Sequence, residues 1–248
     1  MKVSKIIISQ AAPMDQTPYA AIREKYGVQI DFKPFFLIEP LSSMEFRTQK
    51  INILDYTAIV FTARQTIDAF FRLCEELRVS IPETMKYFCS TEAVALYLQK
   101  HIVFRKRKIF FGTGTPESIV AQVGAKHKGE RFLITTNAAS SNLAIRSAFT
   151  AAKLEYTVAD FVKPVPQDIK DIDIHSYDLA VVYNAADIVS LKENFERFEP
   201  GSLKFVTFGK QIVKAMEEAG YPIEIQAPTP EAPSVAKALS LYLEANQD

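Results

Sequence analysis

Five short clusters in this 248-residue chain place small, hydroxyl or amide residues directly after β-like apolar runs. They are Thr62-Ala63-Arg64-Gln65, Cys89-Ser90-Thr91-Glu92, Thr135-Thr136-Asn137, Tyr183-Asn184-Ala185 and Phe208-Gly209-Lys210-Gln211. In parallel α/β folds the carboxyl ends of strands meet helix amino termini, whose free N–H groups attract anions. Small side chains at such tips leave the backbone open to a ligand. Ser, Thr and Asn are also ordinary helix caps, and each cluster taken singly reads as a cap before it reads as a contact. Five at corresponding positions of two facing lobes describe an anion-lined cleft.

Other reactive residues form no such pattern. His101, His127 and His175 are scattered and lack metal-ligand spacing. Cys74 and Cys89 sit in apolar stretches and read as buried thiols of a reducing compartment, not as a disulfide frame. Gly112-Thr113-Gly114 is too short for a phosphate-binding glycine loop and continues through Thr115-Pro116 as a turn. Arg105-Lys106-Arg107-Lys108 is a basic cluster, read first as a solvated strand entrance. A nucleic-acid module built on it would need a wider basic stripe or aromatic platform, and none surrounds it. The 29 basic and 29 acidic residues cancel, so no global field points to nucleic acid or a membrane surface. With 48% hydrophobic residues, no signal peptide and no apolar run near the ~20 residues of a membrane span, a soluble cytoplasmic protein is expected.

The elements that must position the clusters alternate in type. Strands are expected at 5–9, 28–32, 56–62, 86–90, 108–112, 131–135, 155–162, 179–183, 204–207 and 223–226. Helices fall between them, among them 19–26 stopping at Gly27 and 65–77 with Ile67, Phe70, Phe71, Cys74 and Leu77 facing inward. Such alternation predicts parallel sheets covered on both faces, an α/β fold. The order also repeats. The run 56–62 matches 177–183, residues 86–89 match 204–207, and the first strand, helix and strand match 131–161.

Two apolar, proline-bounded passages interrupt the repeat, residues 32–40 and 161–166. Proline removes a backbone donor and disfavours helix in the residue before it, so both are extended. Each copy of the repeat could fold alone as a tandem pair. Alternatively the passages cross, so that residues 1–35 join the last third of the chain. Two neighbouring apolar segments can bury each other, which favours crossing.

The run Asp55-Tyr56-Thr57-Ala58-Ile59-Val60-Phe61-Thr62 and, above all, Gln226-Ala227-Pro228-Thr229-Pro230-Glu231-Ala232-Pro233-Ser234 resemble the uroporphyrinogen-III synthase family. Residues 87–100, leading into Arg105-Lys106-Arg107-Lys108, resemble its Bacteroidetes-type branch, and the likeness covers nearly the whole chain. The resemblance implies the crossed arrangement. One discontinuous α/β domain would hold residues 1–35 and 165–248 and a second would hold 41–158, each with a parallel sheet flanked by helices. A two-stranded antiparallel hinge, 36–40 with 159–164, would join them, with the site between. It also implies closure of hydroxymethylbilane, a linear tetrapyrrole with eight carboxylates, to uroporphyrinogen III. The terminal hydroxyl leaves, an azafulvene forms, and a spiro intermediate inverts ring D. No metal or organic cofactor is implied, and the small-molecule tetrapyrrole is the expected partner of a monomer.

Carried over by position, the resemblance makes Thr62, Ala63, Arg64, Ser90, Thr91, Thr136, Asn137, Asn184, Ala185, Gly209, Lys210 and Gln211 the candidate substrate contacts, with Lys163 and Lys210 as holders of carboxylates. The chain departs from the family pattern in four places. Ala63 stands for the usual Ser, and Val162, with Phe161 as its neighbour, stands for the tyrosine proposed as acid. Asn184-Ala185 replaces a serine-rich turn, and Gly209-Lys210-Gln211-Ile212 lacks the second threonine of a Gly-Pro-Thr-Thr turn. The catalytic residue therefore stays unassigned. The competing reading is a catalytically impaired relative that only binds a tetrapyrrole or another polyanion.

Overall fold

The computed structural model describes residues 3–140 and 142–246, and at Lys210 the backbone alone. The chain opens with β1 (Lys5–Ile8), α1 (Thr17–Tyr26), β2 (Gln29–Phe32), β3 (Phe36–Pro40) and α2 (Ser43–Thr48). Then come β4 (Ala58–Phe61), α3 (Arg64–Glu76), β5 (Lys86–Cys89), α4 (Glu92–Tyr97), β6 (Ile109–Phe111) and α5 (Pro116–Val123). The middle runs through β7 (Arg131–Asn137), α6 (Leu143–Ala151) and the long β8 (Glu155–Pro166). The last third is β9 (Leu179–Val182), α7 (Ala185–Asn194), β10 (Lys204–Phe208), α8 (Lys210–Ala219), β11 (Ile223–Ala227) and α9 (Val235–Ala245).

Two compact units result, one of Met1–Leu37 with Val165–Asp248 and the other of Ile38–Pro164. The first carries a five-stranded parallel sheet in the order β11-β10-β9-β1-β2. The second carries β3-β8-β7-β4-β5-β6, parallel from β8 to β6. The expected α/β fold with parallel sheets flanked by helices is what forms. The repeat is visible in the register. Ala58 lies beside Phe132 and Lys86, and Leu179, which matches Ala58 in sequence, lies beside Ile6 and Lys204.

Strand alternation divides each core into two faces. In the first unit Ile6 and Ile8 of β1 pack with Ile22 of α1 and Leu239 of α9, while Ile7 packs with Leu191 of α7 and Met216 of α8. In the second, Ile59 and Phe61 of β4 meet Ile67 and Phe70 of α3, while Ala58 and Val60 meet Ile119 of α5 and Phe149 of α6. Phe71 and Leu77, expected inward, are only partly buried against that cluster. Cys74 and Cys89 are buried and unpaired, and burial pushes both thiols up to about 12.

Three elements differ from the sequence expectation. The passage 32–40 is extended, but helix α2 follows at once. Its Ser42 hydroxyl accepts the Glu45 N–H while the Glu45 carboxylate accepts the Ser42 N–H, a capping box spelled by the Ser-x-x-Glu spacing. Helix α4 ends at Tyr97 and continues as a 3-10 turn, Leu98–Lys100. Strand β8 runs on to Pro166 because its far half finds β3 alongside. The Leu41 N–H donates to the Phe161 carbonyl and the Gln167 N–H to that of Phe35, both at 2.9 Å. Indices rise on one strand as they fall on the other, the antiparallel pattern. No helix of the described residues is long and apolar enough to cross a membrane.

Candidate active site

In the Ile38–Pro164 unit, β7 feeds α6 onto one face of the sheet and β4 feeds α3 onto the other. Adjacent parallel strands whose helices part to opposite faces leave a crevice at their carboxyl ends. A cavity of about 620 Å³ occupies that place. Thr62, Ala63, Ser90, Thr91, Thr136 and Asn137, all expected from sequence, line it, and so does Val162. The described lining residues carry hydroxyl, amide or apolar side chains, and none is charged.

The local geometry explains which backbone donors are free. Thr91 caps α4 by accepting the Val94 N–H at 3.3 Å, and Thr115 caps α5 by accepting that of Ser118 at 3.3 Å. Those two starts are satisfied by their own side chains, as isolated caps would be. Helices α3 and α6 are not. Ala63, the N-cap of α3, has no side-chain oxygen, and Asn142, the N-cap of α6, makes no side-chain cap bond. Both residues border the cavity, as do Gln65 and Thr66 of the first turn of α3. The alanine that departs from the family pattern thus leaves first-turn N–H groups of a 13-residue helix without a side-chain acceptor.

The hydroxyls around the tips are mostly occupied. Ser90 Oγ donates to the Thr62 carbonyl at 3.0 Å, bracing the ends of β4 and β5. Thr136 Oγ1 lies 2.7 Å from Asp160 Oδ1 and 3.0 Å from the Ala159 carbonyl, so its single proton is committed to β8. A register shift between Thr136 and Asn137 pairs Asn137 with Val162 and brings both side chains to the cavity wall.

The turn after β6, too short for a phosphate loop, nevertheless contributes Gly114, Thr115 and Pro116 to the lining. A Cβ on Gly112 would sit 2.9 Å from the Ser118 carbonyl carbon and 2.3 Å from its Oγ. That hydroxyl accepts the Thr113 N–H at 2.9 Å and donates to the Thr115 carbonyl at 2.6 Å, so the turn closes only around a glycine. Ile38, Ile119, Ser140 and Ile145 are further lining residues that the sequence did not single out. The Thr-Pro helix start at 115–116 was a usable signal for the turn, whereas the apolar wall carries none that distinguishes it from core.

The remaining candidates lie elsewhere. Arg64 projects from the start of α3 over the Tyr97 ring, 5.4 Å from its centroid. Lys163 is paired with Glu45, whose carboxyl is drawn down to about 2 by that lysine and by Ser42. Asn184, Ala185, Gly209 and Gln211 belong to the other unit, at the tips of β9 and β10. The Lys210 side chain lies outside the described residues.

Those tips are built differently. Asn184 caps α7, and Asp187 Oδ2 accepts the N–H groups of Tyr183 and Asn184 at 2.8 and 3.0 Å, so this helix start is satisfied internally. Asp187 is fully buried, and burial raises its carboxyl to about 6 against the lowering effect of those N–H donors. Its Oδ1 and the Ser9 Oγ are buried and make no well-formed hydrogen bond among the described residues, although the Ser9 hydroxyl lies near enough to the carboxyl to help lower it. At the next tip α8, with Gly209 at φ 118°, starts without a side-chain cap, as does α1 after β1.

Solved structures with this architecture are known. Uroporphyrinogen-III synthetase from Helicobacter pylori is 13% identical with a TM-score of 0.55, covering 98% of this chain and 99% of that one. A mutant uroporphyrinogen III synthase from the extremely thermophilic bacterium Thermus thermophilus is 14% identical with a TM-score of 0.52, covering 98% and 99%. At such identities the likeness speaks for the fold. No curated protein matches the chain. The family model described as uroporphyrinogen-III synthase HemD matches residues 17–237, most of both units, and the chain therefore belongs to the uroporphyrinogen-III synthase family.

Proposed function

We propose that this protein closes hydroxymethylbilane to uroporphyrinogen III, with loss of water and inversion of ring D, and takes the substrate at the strand tips of the Ile38–Pro164 unit. The family match over residues 17–237 carries the reading. The cavity supports it because its chemistry suits a flexible polyanion. The uncapped starts of α3 and α6 each offer N–H groups and a positive dipole end, worth roughly 0.3–1 kcal/mol per anionic contact. Hydroxyl and amide side chains complete a lining that recognises carboxylates without fixed counter-charge.

The reaction needs the two ends of a linear chain held together and the spontaneous, uninverted closure prevented, a task of positioning. Val162 stands on the cavity wall where the family resemblance would put a phenol. Ionisation of the hydroxymethyl group then draws on the electron push of its own pyrrole, without a phenolic acid at that position. General acid help is typically worth about 10²–10⁴ in rate, so a slow but stereochemically competent enzyme is expected. The reading carries with it a cytoplasmic monomer that needs no cofactor and binds no nucleic acid. Its domains are residues 1–35 with 165–248, and 41–158, linked by strands 36–40 and 159–164. Candidate contacts are Thr62, Ala63, Ser90, Thr91, Thr136 and Asn137 in the cavity. Arg64, Lys163, Asn184, Ala185, Gly209, Lys210 and Gln211 are the further candidate contacts, not among the described lining residues of that cavity.

The test is an assay with freshly made hydroxymethylbilane, scoring III against I isomer by chromatography after oxidation. Formation of the III isomer above the spontaneous background is expected. A product mixture indistinguishable from the enzyme-free control would overturn the reading.

A further inference from the structure

Outside the cavity, a polar cluster on the α3–α4 side of the same unit rests on Phe71 and Tyr97 at the edge of the core. The Tyr97 hydroxyl donates to Asp68 Oδ2 at 2.7 Å and accepts from Lys100 Nζ at 3.3 Å. His101 Nε2 lies 2.8 Å from Asp68 Oδ1, and its ring stacks on Phe71 at 4.6 Å. Both oxygens of Asp68 are thus occupied by Tyr97 and His101. Over the Tyr97 ring stand two cations, Lys100 Nζ at 4.3 Å and the Arg64 guanidinium at 5.4 Å. Neither has an acidic partner within ion-pair distance among the described residues.

Arg64 is the first residue of α3, where the helix dipole is positive and a cation is unfavourable. The contact with Tyr97 offsets that cost without using the guanidinium's hydrogen-bond donors. The neighbouring Ala63 and Gln65 both line the cavity, so the Arg64 backbone borders it, while the guanidinium is held over the aromatic face of Tyr97. A planar guanidinium with five donors matches a carboxylate, and the adjoining ammonium adds a second charge. We propose that Arg64 and Lys100, carried on the Tyr97 ring, form a carboxylate-binding shelf at the cavity rim that takes one acidic arm of the substrate. This rests on the hydroxymethylbilane reading and names a contact that the uncharged cavity lining does not provide.

The experiment compares wild type, Arg64→Ala, Lys100→Ala, the double variant and Arg64→Lys in steady-state turnover of hydroxymethylbilane and in titration with uroporphyrinogen III, at low and high salt. Exposed charge pairs are worth about 0.2–1 kcal/mol, so each single alanine should raise KM and Kd about two- to fivefold and the double about tenfold. kcat should stay within about twofold, the salt dependence of Kd should flatten, and Arg64→Lys, which keeps the charge without the planar fork, should recover only part of the loss. Loss of the stacking on Tyr97 and relief of the cation at the helix start oppose each other, so the thermal midpoint of Arg64→Ala should stay close to that of wild type. A double variant that binds as wild type does, or that loses affinity only along with its folded stability, overturns the shelf alone. A wild-type protein that neither forms the III isomer nor binds uroporphyrinogen III overturns the hydroxymethylbilane reading and the shelf with it.

Discussion

The two units share strand order, register and helix placement, yet the tips of β4 and β9, equivalent in the repeat, are finished in opposite ways. Thr62 and Ala63 at the tip of β4 correspond to Tyr183 and Asn184 at the tip of β9, and the buried Thr66 corresponds to the buried Asp187. On the first tip small residues leave a cavity and an unsatisfied helix start. On the second, Tyr183 packs against Phe208 at 5.8 Å, the Asn184 side chain accepts the Ala186 N–H of α7, and Asp187 takes those of Tyr183 and Asn184 just before it. At this one position of the repeat the duplicated scaffold therefore carries an open tip and a closed one. What opens a tip here is the absence of a large side chain and of a capping oxygen, not any added functional group.

The strongest way to break the comparison is to transplant the closed tip. Thr62→Tyr puts an aromatic ring at an exposed position on the cavity mouth, where the fold has room for it. Loss of at least about 10²-fold in kcat/KM, some 3 kcal/mol of transition-state binding, is expected with the thermal midpoint nearly unchanged. A variant that keeps wild-type turnover would show that substrate does not use this tip. Next in size is the glycine turn. The corresponding loop of the other unit, residues 228–234, contains no glycine, whereas Gly112 is packed against backbone. Gly112→Ala must displace the Ser118 backbone and should cost about 1–3 kcal/mol in chemical denaturation. A cost near zero would mean the turn relaxes freely.

The closed tip has its own signature in pH. Burial raises the folded-state carboxyl of Asp187 to about 6, above its unfolded value of 3.8. The folded state therefore holds the proton more tightly. The contribution favours folding fully below the unfolded value and is lost as pH rises through about 6. Asp187→Asn keeps an oxygen for the Tyr183 and Asn184 N–H groups and presents an amide donor near the orphaned Ser9 Oγ. The variant should match wild type near pH ~4 and exceed it by on the order of 2 kcal/mol at pH ~8. Parallel stability curves for the two proteins across that range would refute the assignment.

The chain showed its architecture more fully than its site. Alternating apolar runs and the 56–62 against 177–183 match gave the sheets, because register in a buried parallel sheet is fixed by side-chain period. Strand tips such as Ser90-Thr91 and Thr136-Asn137 were legible as tips because small polar residues follow an apolar run there, although such residues also serve as helix caps. Which helix starts stay open was not legible. Thr91 and Ala63 occupy like positions, and only the bond from Val94 to Thr91 and its absence at Ala63 separate a capped start from an open one. Helix α2 escaped a periodicity reading although Ser42 and Glu45 spell a capping box, since six residues give too little period to read. The Ile38 and Val162 wall was hidden for a different reason. Apolar residues that face a cavity and apolar residues that face a core look the same in sequence.

The smallest expected effect refines what openness means at α3. Ala63→Ser restores the residue usual in the family and supplies an oxygen at an N-cap whose backbone, φ −149° and ψ 158°, is already extended as a capping serine requires. If the first-turn N–H groups are as free in the unliganded protein as the geometry indicates, the new hydroxyl should accept one of them and stabilise the fold by about 0.5–1 kcal/mol. The same substitution at Ala185, already inside a capped helix start, has no orphan donor to meet and should be neutral or slightly destabilising. Equal responses at the two sites in urea denaturation would mean that the α3 start is satisfied some other way. The contrast between an open and a closed tip would then reduce to side-chain bulk alone.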